Sequence, residues 1–138
     1  MTKIIFILGF LLALSAGARA EAIVIVGSSP GSLTRDELRD IYFQNGGRLS
    51  GGEAVVPLDY KTDNSLRDEF YEKAFSRNRA QMKAYWAQRI FTGKGNPPQA
   101  VENSKEAATL IKEKHENYIG YMNESDVTGN VTVLLRIP

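Results

Sequence analysis

The chain has 138 residues, with 17 Lys and Arg against 16 Asp and Glu, one His and no Cys. That length predicts one domain once a leader is set aside. The composition excludes disulfides and thiol chemistry, and a lone histidine without cysteine gives no zinc ligand set, so no metal or other cofactor is expected. The even charge balance gives no electrostatic case for nucleic acid or an anionic membrane as the main partner.

Residues 1–20 read as a signal peptide, with Lys3 in the basic n-region, Ile4–Leu14 as the apolar stretch and Ala18-Arg19-Ala20 as a small-x-small cleavage site. The apolar run is short for a membrane-spanning helix. Cleavage after Ala20 leaves a secreted domain of residues 21–138 carrying 15 basic and 16 acidic side chains.

Ala22–Val26 is a continuous apolar, β-branched run, the pattern of a strand buried on both faces. It ends in a loop, Gly27–Ser32, that carries hydroxyls at Ser28, Ser29 and Ser32; such a loop serves as a plain connection or as a ligand contact. Thr34 and Glu37 have capping-box spacing and predict a helix to about Tyr42, with Leu38, Ile41 and Tyr42 inward. Gln44–Glu53 holds four glycines and reads as a hairpin-like connection into a strand over Ala54–Leu58.

The next stretch, Lys61 to Phe75, concentrates the polar chemistry. Ser65 stands three residues before Asp68, which predicts a helix starting near Leu66, with Leu66, Phe70 and Ala74 on its buried face. Around that start stand Lys61, Thr62, Asp63, Asn64, Ser65 and Arg67. Free backbone N–H groups and the helix dipole suit an oxyanion there, with hydroxyls and cations beside them. The same residues also suit a simple helix cap with solvated cations.

A third helix is predicted from Asn78 or Arg79 to Ile90, with Met82, Tyr85, Trp86 and Ile90 on one face, and Phe91–Pro98 breaks it. A fourth runs from Asn103 or Ser104 to about Lys114, followed by strands over Tyr118–Met122 and Val131–Ile137. Strands alternating with helices predict an α/β domain with a partly parallel sheet. No nucleophile–base pair with catalytic spacing and no nucleotide-binding glycine motif occurs, so no enzyme is expected.

Several stretches occur together in one order: Leu33-Thr34-Arg35-Asp36-Glu37-Leu38 with Ile41-Tyr42-Phe43, then Pro57, then Asp63-Asn64-Ser65 before Phe70, then Trp86, Phe91-x-Gly93-Lys94-Gly95 and Ile119-Gly120-Tyr121. Together they resemble the periplasmic phosphate-binding proteins of ABC transporters, within the type II periplasmic binding protein superfamily, from about Ile23 to Leu135. The resemblance implies a single lobe of that fold, an α/β domain with a mixed, mostly parallel sheet flanked by about four helices. It also implies a secreted, periplasmic, solute-binding-like protein capturing phosphate or a similar oxyanion, with an ABC permease, an envelope sensor or a second copy as partner. Ser65 matches the serine that donates its hydroxyl to phosphate, Lys61 stands where the family has arginine, and Asp63 matches the aspartate before the binding turn. Ser28 and Ser29 resemble the hydroxyl loop after the first strand. Leu66 and Arg67 replace the glycine and threonine that follow the family serine. The alternative is an envelope interaction or sensory module that has lost its ligand, since the chain has length for one lobe only.

Overall fold

The computed structural model describes residues 21–138, so the expected signal peptide and its cleavage site lie outside the described residues. Strand β1 (Ile23–Gly27) is buried at all five positions, as its β-branched run requires. It lies between β5 (Tyr118–Asn123) and β6 (Thr132–Ile137), antiparallel to both, with a bulge between Ile25 and Val26 on the β6 side. Strand β3 (Ala54–Tyr60) runs parallel to β5 and to β4 (Gln99–Val101), and antiparallel to the short β2 (Gly47–Arg48). The sheet order is β2-β3-β5-β1-β6, with β4 also on β3.

The α/β lobe is therefore as expected, with four α-helices among the described residues, but three of its five strand pairings are antiparallel. Alternating strand and helix patterns say which segments extend; they leave open which way sheet neighbours run.

Helix α1 (Arg35–Gln44) starts at the predicted capping box, where the Glu37 N–H donates to Thr34 Oγ1 and the Thr34 N–H donates to the Glu37 carboxylate. It stops at Asn45, whose left-handed φ of 54° ends the helical ladder. Gly47 follows because a Cβ there would stand 2.7 Å from Ile41 Cγ1, so β2 could not lie against α1 with a larger residue. Helix α3 (Arg79–Phe91) starts at a second capping box, Asn78 with Gln81, and α4 (Ser104–Glu113) at Asn103.

Helix α2 (Ser65–Phe75) corrects the sequence reading twice. Its cap is Asn64, not Ser65: the Asn64 side-chain oxygen accepts from the N–H groups of Leu66 (2.9 Å) and Arg67 (3.3 Å). An Asn side chain competes with serine as a cap, and the shift of one residue follows. The buried face is also rotated, running through Arg67, Phe70, Tyr71, Ala74 and Phe75, while Leu66 is half-buried. Its aromatics join Tyr42 and Tyr121 in the core; Phe70 stacks on Tyr121 with ring centres 3.7 Å apart. On α3, Met82 and Trp86 are buried as predicted, but Ile90 is 52% exposed.

Candidate functional site

Strand β3 ends at a buried carboxylate. Asp59 is 4% exposed and gathers four donors: the Tyr60 N–H (2.8 Å), the Tyr71 hydroxyl (2.7 Å), the Tyr121 hydroxyl and Arg67 Nε (3.4 Å). A buried carboxylate is tolerable only with such partners. Burial first, and the Asp59 charge second, push the phenols of Tyr71 and Tyr121 well above their ordinary value, so both hydroxyls stay protonated donors.

The arrangement fixes Arg67. Its side chain is nine-tenths buried, its guanidinium lies 4.9 Å from the centre of the Tyr71 ring, and its Nε is taken by Asp59. No described residue accepts from its two η nitrogens. Arg67 also lines two adjoining hollows, which share Thr62 and Pro97 as well. The smaller, of about 260 Å³, is lined by Asp59, Tyr60, Lys61, Thr62, Arg67, Pro97, Pro98 and Ala100. The larger, of about 520 Å³, runs along α3 past Arg79, Met82, Lys83, Trp86, Ala87 and Ile90.

Arg79 is tied across to α2, with Nε and Nη2 donating to the Asp68 carboxylate at 3.1 and 2.6 Å. That hydrogen bond holds the Asp68 carboxyl below its ordinary value, against a smaller opposing effect of desolvation. Lys61 pairs with Glu102 in the open, and this hydrogen bond raises its ammonium group. The Trp86 indole N–H is buried without an acceptor among the described residues, a state that costs about 1–3 kcal/mol in general.

The structure divides the eight predicted site residues. Lys61, Thr62 and Arg67 share the smaller hollow, and Thr62 and Arg67 the larger. Asp63, Asn64 and Ser65 line neither, and the Asn64 side chain is committed to the cap. Ser28 and Ser29 are elsewhere. Since β3 is parallel to β5 and β5 antiparallel to β1, the end of β1 lies at the start of β3. There Ser28 Oγ donates to Asn117 Oδ1 at 3.5 Å, and Asn117 Nδ2 donates to the Ala54 carbonyl at 2.6 Å. The two serines and the Lys61–Arg67 turn thus sit at opposite ends of the sheet and cannot hold one small anion between them. The resemblance matched them in order along the chain; strand direction separates them in space.

The sequence presents Asp59, with Asp63, as a structural or solvated carboxylate and the face of α3 with Met82, Trp86 and Ile90 as packing, and assigns neither Asp59 nor that face to the site. Asp59 sits in an otherwise apolar strand, VVPLDY, and a carboxylate in such a run is a signal of a buried pair. Arg79, Met82, Lys83, Trp86, Ala87 and Ile90 fall at i, i+3, i+4, i+7, i+8 and i+11, one continuous stripe. No cluster of three or more His, Cys, Asp or Glu suited to a metal occurs among the described residues, and no described helix is long and apolar enough to cross a membrane.

No protein-family profile matches the chain, and no curated protein matches it. Among solved structures, an ABC-type phosphate transport receptor from Vibrio cholerae has a similar fold, with a TM-score of 0.61 at 14% identity over 83% of this chain and 45% of that one. The fold is therefore that of a periplasmic-binding-protein-like lobe, and the chain spans less than half the length of the receptor it matches.

Proposed function

We propose that this protein is a secreted, solute-binding-like lobe of residues 21–138 that takes an oxyanion, phosphate foremost, at the turn between β3 and α2. The observation that carries this reading is the half-free guanidinium of Arg67, held at Nε by buried Asp59 and open at its η nitrogens. A planar, fixed guanidinium beside a hydroxyl suits a tetrahedral oxyanion, because it offers two parallel donors with little left to order. Thr62 and Lys61 complete the smaller hollow, while Ser65, Asp63 and Asn64 shape the turn around it. The likeness to a phosphate transport receptor supports the same ligand class, and with it a periplasmic site of action, a partnership with an ABC permease, and binding without catalysis.

Isothermal titration of phosphate into the purified protein, with sulfate as control, tests the reading. Phosphate-selective binding that falls at least tenfold in Arg67→Lys and in Thr62→Val supports it. Undetectable heat at millimolar phosphate, or affinity unchanged in both variants, overturns the site. The double variant Lys61→Ala with Ser65→Ala tests the turn itself in the same way.

A second reading, an envelope interaction module, is favoured by Phe91, which is 91% exposed beside half-exposed Ile90 at the end of α3. Sedimentation of the wild type and of Phe91→Ser distinguishes it: association lost in the variant supports a docking role.

A further inference from the structure

The larger hollow is more than a bare oxyanion needs. One side of it is a stripe of α3 in which buried Met82 and Trp86 alternate with exposed Ala87 and Ile90, and Pro97 stands among the residues lining it. The fixed guanidinium of Arg67 lines this groove together with Lys83, while Arg79, also in its lining, is paired with Asp68. A volume of about 520 Å³ lies within the range of roughly 300–1,000 Å³ typical of small-molecule sites. Phosphate or sulfate alone would engage Arg67 and leave Ala87 and Ile90 facing water, with no gain from the apolar surface there.

Resting on the oxyanion reading above, we propose that the ligand is an organic anion, an oxyanion head on Arg67 carrying an apolar tail that lies along α3 over Trp86 and Ile90. The head binds with the affinity of inorganic phosphate and fixes orientation, and the tail adds affinity along the apolar wall. Inorganic phosphate is then a fragment of the ligand.

Trp86 is the chain's single tryptophan, so its fluorescence reports on this groove without labelling. The experiment titrates inorganic phosphate, methyl phosphate, butyl phosphate and hexyl phosphate into the purified protein and follows Trp86 emission and heat. The expected result is an affinity that rises about fourfold for each methylene buried, with an emission change for the butyl and hexyl esters. Ile90 and Ala87 are exposed, so the uncharged variants Ile90→Ser and Ala87→Asn keep the fold; both flatten the rise along the series toward the affinity of inorganic phosphate.

Equal affinity for phosphate and hexyl phosphate overturns the tail and leaves the oxyanion reading standing. A series that binds equally well as the neutral alcohols, and is indifferent to Arg67→Lys, overturns the anionic head. Failure of every probe to bind overturns both.

Discussion

Among the described residues, two open grooves are of nearly equal size, about 530 Å³ along α4 and about 520 Å³ along α3, and one of the two is built like a site. The α4 groove is lined by Lys105, Lys112, Glu113, Asp126 and small polar residues, none of them buried, so its charges are hydrated and its side chains free to turn. The α3 groove has buried Arg67, Met82 and Trp86 in its lining, and the guanidinium is held on one side by Asp59 and one ring face by Tyr71. Equal volume therefore says little about function. What differs is preorganisation: a ligand in the α4 groove must order lysines, whereas one in the α3 groove meets a cation already fixed.

The largest expected effect tests that fixation directly. Asp59→Ala leaves Arg67 buried without its carboxylate and strands the hydroxyls of Tyr71 and Tyr121; loss of one partner from a buried pair costs about 3–5 kcal/mol. Urea unfolding followed by Trp86 emission measures it. Asp126→Ala in the α4 groove, by contrast, changes stability by less than about 0.5 kcal/mol, as surface substitutions do. Equal losses in the two variants would remove the distinction between the grooves. Next comes Tyr71→Phe, which deletes one hydrogen bond to a charged acceptor and costs about 1.5–3 kcal/mol. It also loosens Arg67, so phosphate affinity falls with stability, whereas Tyr85→Phe, away from this cluster, leaves affinity unchanged.

The same cluster predicts how the fold fails in alkali. Burial pushes the phenols of Tyr42, Tyr71 and Tyr121 well above their ordinary value. The folded chain then retains protons that the unfolded chain releases above pH about 10. Stability is complete below that pH and declines as pH rises, by up to roughly 1.4 kcal/mol per pH unit for each tyrosine. Tyrosinate absorbance from these three should appear together with unfolding in a pH titration. Their ionisation in a chain that keeps its native circular dichroism would show that the cluster is open to water.

The elements were legible in the sequence because capping boxes and apolar periodicity are local: Thr34 with Glu37 starts α1, and the AIVIV run holds most of β1, a buried strand paired on both sides. The candidate site was legible only in part. Lys61, Thr62 and Arg67 stand out by charge and position, yet the sequence presents Arg67 as a free cation although it stands on the buried face of α2. Nothing within the helix reveals this, because its carboxylate partner lies eight residues back on a strand. Chain order alone links Ser28 and Ser29 to the site, and the antiparallel setting of β1 against β5 takes them to the other end of the sheet. Pairing direction and side-chain partnership are tertiary facts, and these were the points at which pattern reading stopped.

The smallest expected effect separates the two cations of the turn. Lys61 and Arg67 are six residues apart and both are ion-paired, but Lys61 meets Glu102 in open solvent while Arg67 meets Asp59 in the core. Exposed pairs add little to stability, since water screens them and two long side chains must be ordered. Lys61→Ala should therefore leave the urea midpoint where it is. Its effect on phosphate affinity should be a few-fold at low ionic strength and vanish at high salt, because a screened charge acts from a distance. Arg67→Lys should weaken binding at every salt concentration, since the lost interaction there is a fixed pair of donors. If the two variants respond to salt alike, Arg67 attracts the anion only as a point charge, and the burial of its partner carboxylate has no bearing on binding.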